Sequence, residues 1–161
     1  MTDRPPFVPA GFEPPIRLEA PEFVLEPLGP QHNEADYAAW TSSLQHIQAT
    51  PGFVGDSWPH EMTLVENLAD LEMHARDFEE RRGFTYTVLE RATGGVIGCV
   101  YIYPAGTSDA DPTSDPSEHD ASIRSWVSVA NAPLDRPLWE AVTEWLREAW
   151  PFERVAYASR V

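Results

Sequence analysis

The chain has 161 residues, a length that fits one domain with a sizeable hydrophobic core. Its 26 acidic residues outnumber 11 basic ones, all arginine, for a net charge of −15; such a surface repels nucleic acid and anionic membranes and favours cationic partners or plain solubility. A single cysteine leaves no internal disulfide, no run approaches the ~20 apolar residues of a membrane span, and the N-terminus lacks the apolar stretch of a signal peptide, so a cytoplasmic protein is expected.

Arg4 to Pro21 is proline-rich and aperiodic, so residues 1–22 read as an extended arm laid over a domain spanning 23–161. Its segment Pro6–Pro9 loosely fits a proline-recognition pattern, although a plain arm accounts for it. Phe23–Leu28 alternates apolar and polar residues as a short strand does. Tyr37, Trp40, Leu44 and Ile47 then recur at helical spacing, and the turn-rich segment Thr50–Pro59 ends that helix. Thr63 and Glu66 form a capping box at the start of a second helix. Its apolar stripe is Leu64, Leu68, Leu71, Ala75 and Phe78, with Arg81, Arg82 and Gly83 as its close.

Phe84–Glu90 and Val96–Tyr103 flank Thr93-Gly94-Gly95 and predict an antiparallel hairpin. The second of these strands is apolar almost throughout, which implies cover on both faces. An acidic Ser/Asp/Pro loop, Ala105–Asp120, leads to a strand at Ala121–Val129. A third helix, Leu138–Trp150, carries Leu138, Val142, Trp145 and Ala149 on one face, and Arg154–Ser159 reads as a last strand. Trp139 falls off the inward stripe and is a candidate interface residue. The order predicts an α+β domain with a mixed sheet covered by helices, its last two strands joined by a parallel crossover through the third helix.

Gly94–Ile102 (GGVIGCVYI), Ser122–Val129 (SIRSWVSV) and the helix and strand that follow resemble the GNAT family of acyl-CoA-dependent N-acetyltransferases. The resemblance covers the chain from about Phe23. It implies a mostly antiparallel central sheet with helices on both faces, ending here after the family's fifth strand, with acetyl-CoA as co-substrate and an amine as acceptor. It also implies that backbone near Val127 and Val129 pairs with the pantetheine arm and donates to the reaction's oxyanion. Tyr101, Arg124, Trp126 and Tyr157 would line the cleft where the fourth and fifth strands splay. His74, which titrates near neutrality when unperturbed, is the nominee for a base.

One departure from the family stands out. Its Arg/Gln-x-x-Gly-x-Gly/Ala loop, whose N–H groups bind the pyrophosphate, is replaced by Val129–Leu138 (VANAPLDRPL). Pro133 and Pro137 each remove a donor, and Asp135 is suited to be the N-cap of the helix, which would occupy others and repel phosphate. Arg136 is the compensating charge there. Two readings therefore stand side by side. The chain is an N-acetyltransferase with a degenerate pyrophosphate loop, or a catalytically inactive relative that binds a small ligand or a protein. The last strand needs cover, from a second subunit in a homodimer, which is favoured, or from the arm.

Other chemistry-bearing residues have plainer readings. Asp109, Asp111, Thr113, Asp115, Ser117 and Asp120 are spaced like calcium ligands, but Ser114 stands where such a loop needs glycine and Asp120 where it needs glutamate; an acidic loop without metal is expected. His60 and His119 read as surface residues. Cys99 has no activating base in sight and reads as a core thiol.

Overall fold

The alternating stretch at the start of the domain forms strand β2 (Phe23–Pro27). In the computed structural model, which describes residues 5–161, it pairs antiparallel with β3 (Phe84–Glu90), from Phe23 opposite Glu90 to Pro27 opposite Tyr86. The hairpin partner β4 (Val96–Pro104) follows, its turn using Gly94 at a φ of 74°. Next come β5 (Ala121–Val127) and β6 (Val155–Tyr157), the one parallel pair. A two-residue strand β1 (Leu18–Glu19), which the proline-rich composition had hidden, adds to the free edge of β2. Among the described residues these make one six-stranded sheet in the order β1 to β6, so the arm's strand and β6 lie at opposite edges.

The first helix divides into α1 (Asn33–Thr41) and α2 (Leu44–Gln48). Thr41 and Ser42 turn their hydroxyls onto the carbonyls of Tyr37 and Ala39, at 2.6 and 2.8 Å, and Ser43 leaves helical geometry. Short hydroxyl side chains compete with the helix backbone in this way. The second predicted helix is α3 (Leu64–Glu79), with the capping box formed in both directions, 2.9 and 3.1 Å. Its buried face is rotated from the expected one: Asn67, Leu71 and His74 point inward while Leu64 is 39 % exposed. Arg81, not Gly83, takes the left-handed position that ends it, with Arg82 N–H on Asp77 O at 2.8 Å. Gly83 serves packing instead, since the Tyr103 ring lies 2.2 Å from where a Cβ would sit.

The strand expected to reach Val129 ends at Val127, a 3-10 segment, Val129–Leu134, follows, and it feeds α4 (Asp135–Ala149), which starts about a turn before the expected Leu138. The two sheet faces carry separate cores. On one, α1 and α3 cover Trp40, Phe53, Leu71, Tyr101 and Trp126. On the other, Leu138, Val142, Trp145 and Trp150 pack on Phe84, Tyr86, Ile102 and Ile123. The arm closes this second core: Val8 is 3 % exposed, and Phe7 stacks on Phe152 with centroids 4.9 Å apart. Within the Pro6–Pro9 segment, Phe7 and Val8 are thus spent on packing while both prolines stay exposed.

Strands β4 and β5 approach most tightly at Gly98, opposite Val127, where a Cβ would come within 2.3 Å of the Trp126 carbonyl oxygen. Gly98→Ala is expected to cost about 1–3 kcal/mol through forced backbone movement. A lower urea midpoint at unchanged slope would register it, and an unchanged midpoint would show that the two strands have slack.

Candidate functional site

On the α1 and α3 side the sheet leaves a cavity of about 230 Å³, walled by both helices, the 49–63 segment and the centres of β4 and β5. Helical spacing brings Asn67, Asp70 and His74 of α3 to one wall, and Asp36 of α1 faces them. Tyr101 and Arg124 are cross-strand partners on β4 and β5, so their side chains share the floor. Trp58 closes the rim, its ring 6.1 Å from Tyr101.

Arg124 is 5 % exposed and is the cation of this floor. One guanidinium nitrogen pairs with Asp56, another donates to Asp109 O at 2.8 Å, and the plane lies 4.6 Å over Phe53. A single side chain thereby ties the 49–63 segment and the acidic loop to β5. Its ion pair is with Asp56; Arg124 also attracts Asp109, while His32 and the cavity-lining His60 attract Asp36 and Asp70. Burial pushes the Asp36 carboxyl up to about 6 against the hydrogen bond from Asn67 and the attraction of His32, and Asp70 adds to the rise. Asp70 and Asp109 are also raised, chiefly by burial.

His74 has its protonation fixed by a relay. Tyr103 donates its hydroxyl hydrogen to Asp77 Oδ2 at 2.9 Å. The 2.7 Å contact between His74 Nδ1 and the same hydroxyl oxygen therefore has the imidazole as donor. The proton sits on Nδ1, and among the described residues Nε2 has no protein partner. Burial, aided by the Arg124 charge, lowers the His74 pKa to about 4, so the ring is neutral at pH 7 and Nε2 carries a bare lone pair.

The other sheet face has a different character. β5 and β6 pair only as far as Ile123 and Tyr157, where β6 ends, and the gap beside Ser125 beyond that end is filled by Arg160, whose side chain is 4 % exposed. Its Nε donates to Asp135 Oδ2 at 2.8 Å, Nη2 to Ser125 O at 2.9 Å and Nη1 to Ala158 O at 2.8 Å. Tyr157 meets Ser125 across the same gap, hydroxyl to hydroxyl at 2.6 Å. Asp135 is thus not the N-cap that its position suggested; Leu134 precedes the helix and the carboxylate answers Arg160. Nearby backbone donors are engaged too: Ser128 N–H on Ile97 O at 2.9 Å, Val129 N–H on Ser43 Oγ at 2.8 Å, Asn131 N–H on Ser128 O at 2.9 Å.

Of the residues singled out from sequence, His74, Tyr101 and Arg124 gather around the cavity, and His60, exposed as expected, and Asp109 of the acidic loop line it too. Trp126 lies beneath it, fully buried, its indole N–H on Tyr101 OH at 3.1 Å. Tyr157 packs on the opposite face beside Trp139, and Val127 is part of that core. Val129 and Arg136 are on the surface, Arg136 bonded to Glu140 at 3.1 Å. Asp36, Asp70, Asn67 and Arg160 escaped sequence reading, and Asp109 was noted only for its calcium-like spacing; a polar residue one turn from Trp40 or Leu71 on an apolar face was the available signal for Asp36 and Asn67.

Among the described residues no cluster of three or more His, Cys, Asp or Glu is placed to hold a metal ion. In the acidic loop, Asp111 and Asp115 bond the turn residues Thr113 and Ser117, and Asp120 holds Arg154. Cys99 is buried, and burial pushes its thiol well up. No helix of the described residues is long and apolar enough to cross a membrane.

No protein-family model matches the chain, and no curated protein does. Solved structures do. A ribosomal-protein-S5-alanine acetyltransferase from Vibrio fischeri superposes with a TM-score of 0.63 at 11 % identity, over 89 % of this chain and 73 % of its own. A GCN5-related N-acetyltransferase from Brucella melitensis gives 0.56 at 19 %, over 88 % and 59 %. A microcin C7 self-immunity acetyltransferase, solved with acetyl-CoA and AMP, gives 0.58 at 13 %, over 80 % and 63 %. The fold is GNAT-like: a mostly antiparallel, six-stranded sheet among the described residues, with helices on both faces.

Proposed function

We propose that this GNAT-fold chain is a small-ligand-binding protein that does not turn over acyl-CoA. The observation that carries the reading is Arg160, whose buried guanidinium lies on Ser125 O past the end of the β5–β6 pairing, next to the Val127–Val129 stretch along which the resemblance would lay a pantetheine arm. Acyl transfer needs free donors for the pyrophosphate and for the oxyanion. Here Pro133 has no N–H, and those of Ser128, Val129 and Asn131 are already bonded. The residues present do not fit acetyl-CoA.

Acetyl-CoA at ~1 mM is expected to leave Tm unchanged. A ligand at about 100 times its Kd adds ~2.7 kcal/mol, or roughly 5–11 °C for a chain of this size. A shift of that order, or thiol release in the presence of an amine, would reinstate the transferase. That second reading draws on the fold and on the gap past the end of the β5–β6 pairing, which Arg160 occupies without abolishing. Arg160→Ala tests it: acetyl-CoA binding gained on truncation would mark Arg160 as the closure.

A further inference from the structure

We infer that the outer edge of β6 is the interface of a closed homodimer, in which Val155–Tyr157 of two copies pair antiparallel across a two-fold axis at Ala156. The inference is independent of the ligand reading above and concerns a different side of the molecule.

The need for cover comes from the topology. β6 ends the sheet, and the arm, the other candidate to cover it, adds instead to the far edge through β1. Arg154 O accepts from the N–H groups of Asp120 and Ala121, at 2.7 and 3.4 Å, so it faces β5. Backbone direction alternates along a strand, which turns the N–H and C=O of Val155 and Tyr157 to the outer edge. Among the described residues, side-chain hydrogen bonds to the backbone here stop at the Arg154 N–H and resume at Ala158 O. The two sheet edges also differ in protection. β1 is two residues long, and its Glu19 is paired with Arg17 at 3.0 Å. Val155–Tyr157 carries no charge, and a bare strand edge recruits another strand.

Self-complementarity selects a second copy. With the axis at Ala156, Val155 of one copy lies opposite Tyr157 of the other, and both symmetric pairs exchange their outward N–H and C=O groups. Val155 and Tyr157 share the α4 face of the sheet, so a β-branched side chain meets an aromatic one, a favourable cross-strand pair. Trp139 stands beside them, its ring 6.3 Å from Tyr157 and its buried indole N–H without a partner among the described residues. An axis at Tyr157 would instead set Arg154 opposite Arg160, like against like.

Charge allows two copies to meet at this edge. The chain carries −15, yet Asp135–Val161 has five acidic residues against four arginines, while the rest has twenty-one against seven. Arg154 holds Asp120 and Arg160 holds Asp135, so the flanks of β6 are neutralised where two acidic chains would otherwise repel. Pairing of β1 with β6 would run on from copy to copy, whereas the two-fold pairing closes.

The test is light scattering of the full chain after size exclusion, from ~1 to ~500 µM. The mass is expected to move from one chain toward two over that range, since a short interface gives micromolar association. Val155→Pro removes an outward N–H and leaves the ladder to β5 intact, so it should keep its circular dichroism and dimerise about tenfold more weakly or less. Ala156→Cys reads the register. Facing Cα atoms of a non-hydrogen-bonded antiparallel pair lie ~4.5 Å apart, within a disulfide's reach of about 4.4–6.8 Å. Mild oxidation should link this variant into a covalent dimer and leave the wild type, whose Cys99 is buried, unlinked. Val65→Cys, at a position 78 % exposed on α3, is the control for chance collisions. A single-chain mass at every concentration overturns the inference, as does Ala156→Cys linking no faster than Val65→Cys. A dimer that Val155→Pro leaves untouched overturns the assigned edge, and masses climbing past two chains overturn closure. Should Val155→Pro fail to fold, the linking rates decide alone.

Discussion

Asn67→Ala is expected to destabilise the protein by about 3–4 kcal/mol and to lower Tm by roughly 6–16 °C. Asn67 is 2 % exposed and sits at the crossing of α1 and α3. Its Oδ1 accepts the indole N–H of Trp40 at 3.0 Å, and its Nδ2 donates to Asn33 at 2.8 Å and to Asp36 at 3.2 Å. Alanine orphans the N–H of a fully buried tryptophan, removes the one side-chain hydrogen bond that steadies a buried carboxylate, and leaves a void. Each orphaned buried group costs about 1–3 kcal/mol, which is why the sum exceeds a simple truncation. Trp40→Phe in the same background should recover part of the loss, about 1 kcal/mol, because the stranded donor is gone. Chemical denaturation of the four members of this cycle reads the coupling. A loss under about 1 kcal/mol for Asn67→Ala alone would show that apolar packing, not this polar crossing, joins the two helices.

Why sequence reading saw the scaffold and missed this crossing is a matter of what periodicity registers. The strand read at Phe23–Leu28 and the capping box at Thr63 and Glu66 are local signals, and both elements formed, although Phe23, Val24 and Leu25 are all buried instead of alternating. The α3 stripe came out rotated because counting apolar residues favours Leu64 and Leu68. Polar partners on α1 made Asn67 the residue to bury instead. The Ser42-Ser43 break was written in hydroxyls, whose choice between solvent and the helix carbonyls depends on tertiary context; Ser43 is held by the N–H of Val129, 86 positions away. His74 was legible as a titratable residue beside the apolar stripe of its helix, and Arg124 through the family resemblance of its strand. Asp109, in a loop without periodicity, was not, since its place beside the cavity depends on Arg124 gripping its carbonyl. Arg160 lies outside any regular element, and its role exists only because β5 outruns β6.

The same cavity makes a pH prediction whose sign differs between two side chains. His74 has a folded pKa of about 4 against 6.5 for the free side chain, so the unfolded chain takes the proton more readily. Stability from that neutral ring is present above pH ~6.5 and is lost as the pH falls toward 4, by about 3 kcal/mol. Asp36 runs the other way. Its folded pKa of about 6 lies above the ordinary 3.8, so the folded chain holds the proton better, and stability is regained over nearly the same interval, again by about 3 kcal/mol. In the wild type the two contributions nearly cancel between pH 6.5 and 4. Asp36→Asn removes the gain and exposes the loss: the variant should be the more stable one at pH 7 and should weaken steeply on acidification. His74→Gln removes the loss and exposes the gain, so that variant should strengthen as the pH is lowered over the same range, with the raised Asp70 and Asp109 adding to the trend. Urea midpoints at half-unit steps of pH resolve the three curves. Asp36→Asn and wild type running parallel from pH 7 to 4 would mean that Asp36 is ionised and solvated in the folded chain, and the cavity would then be wetter than its burial implies.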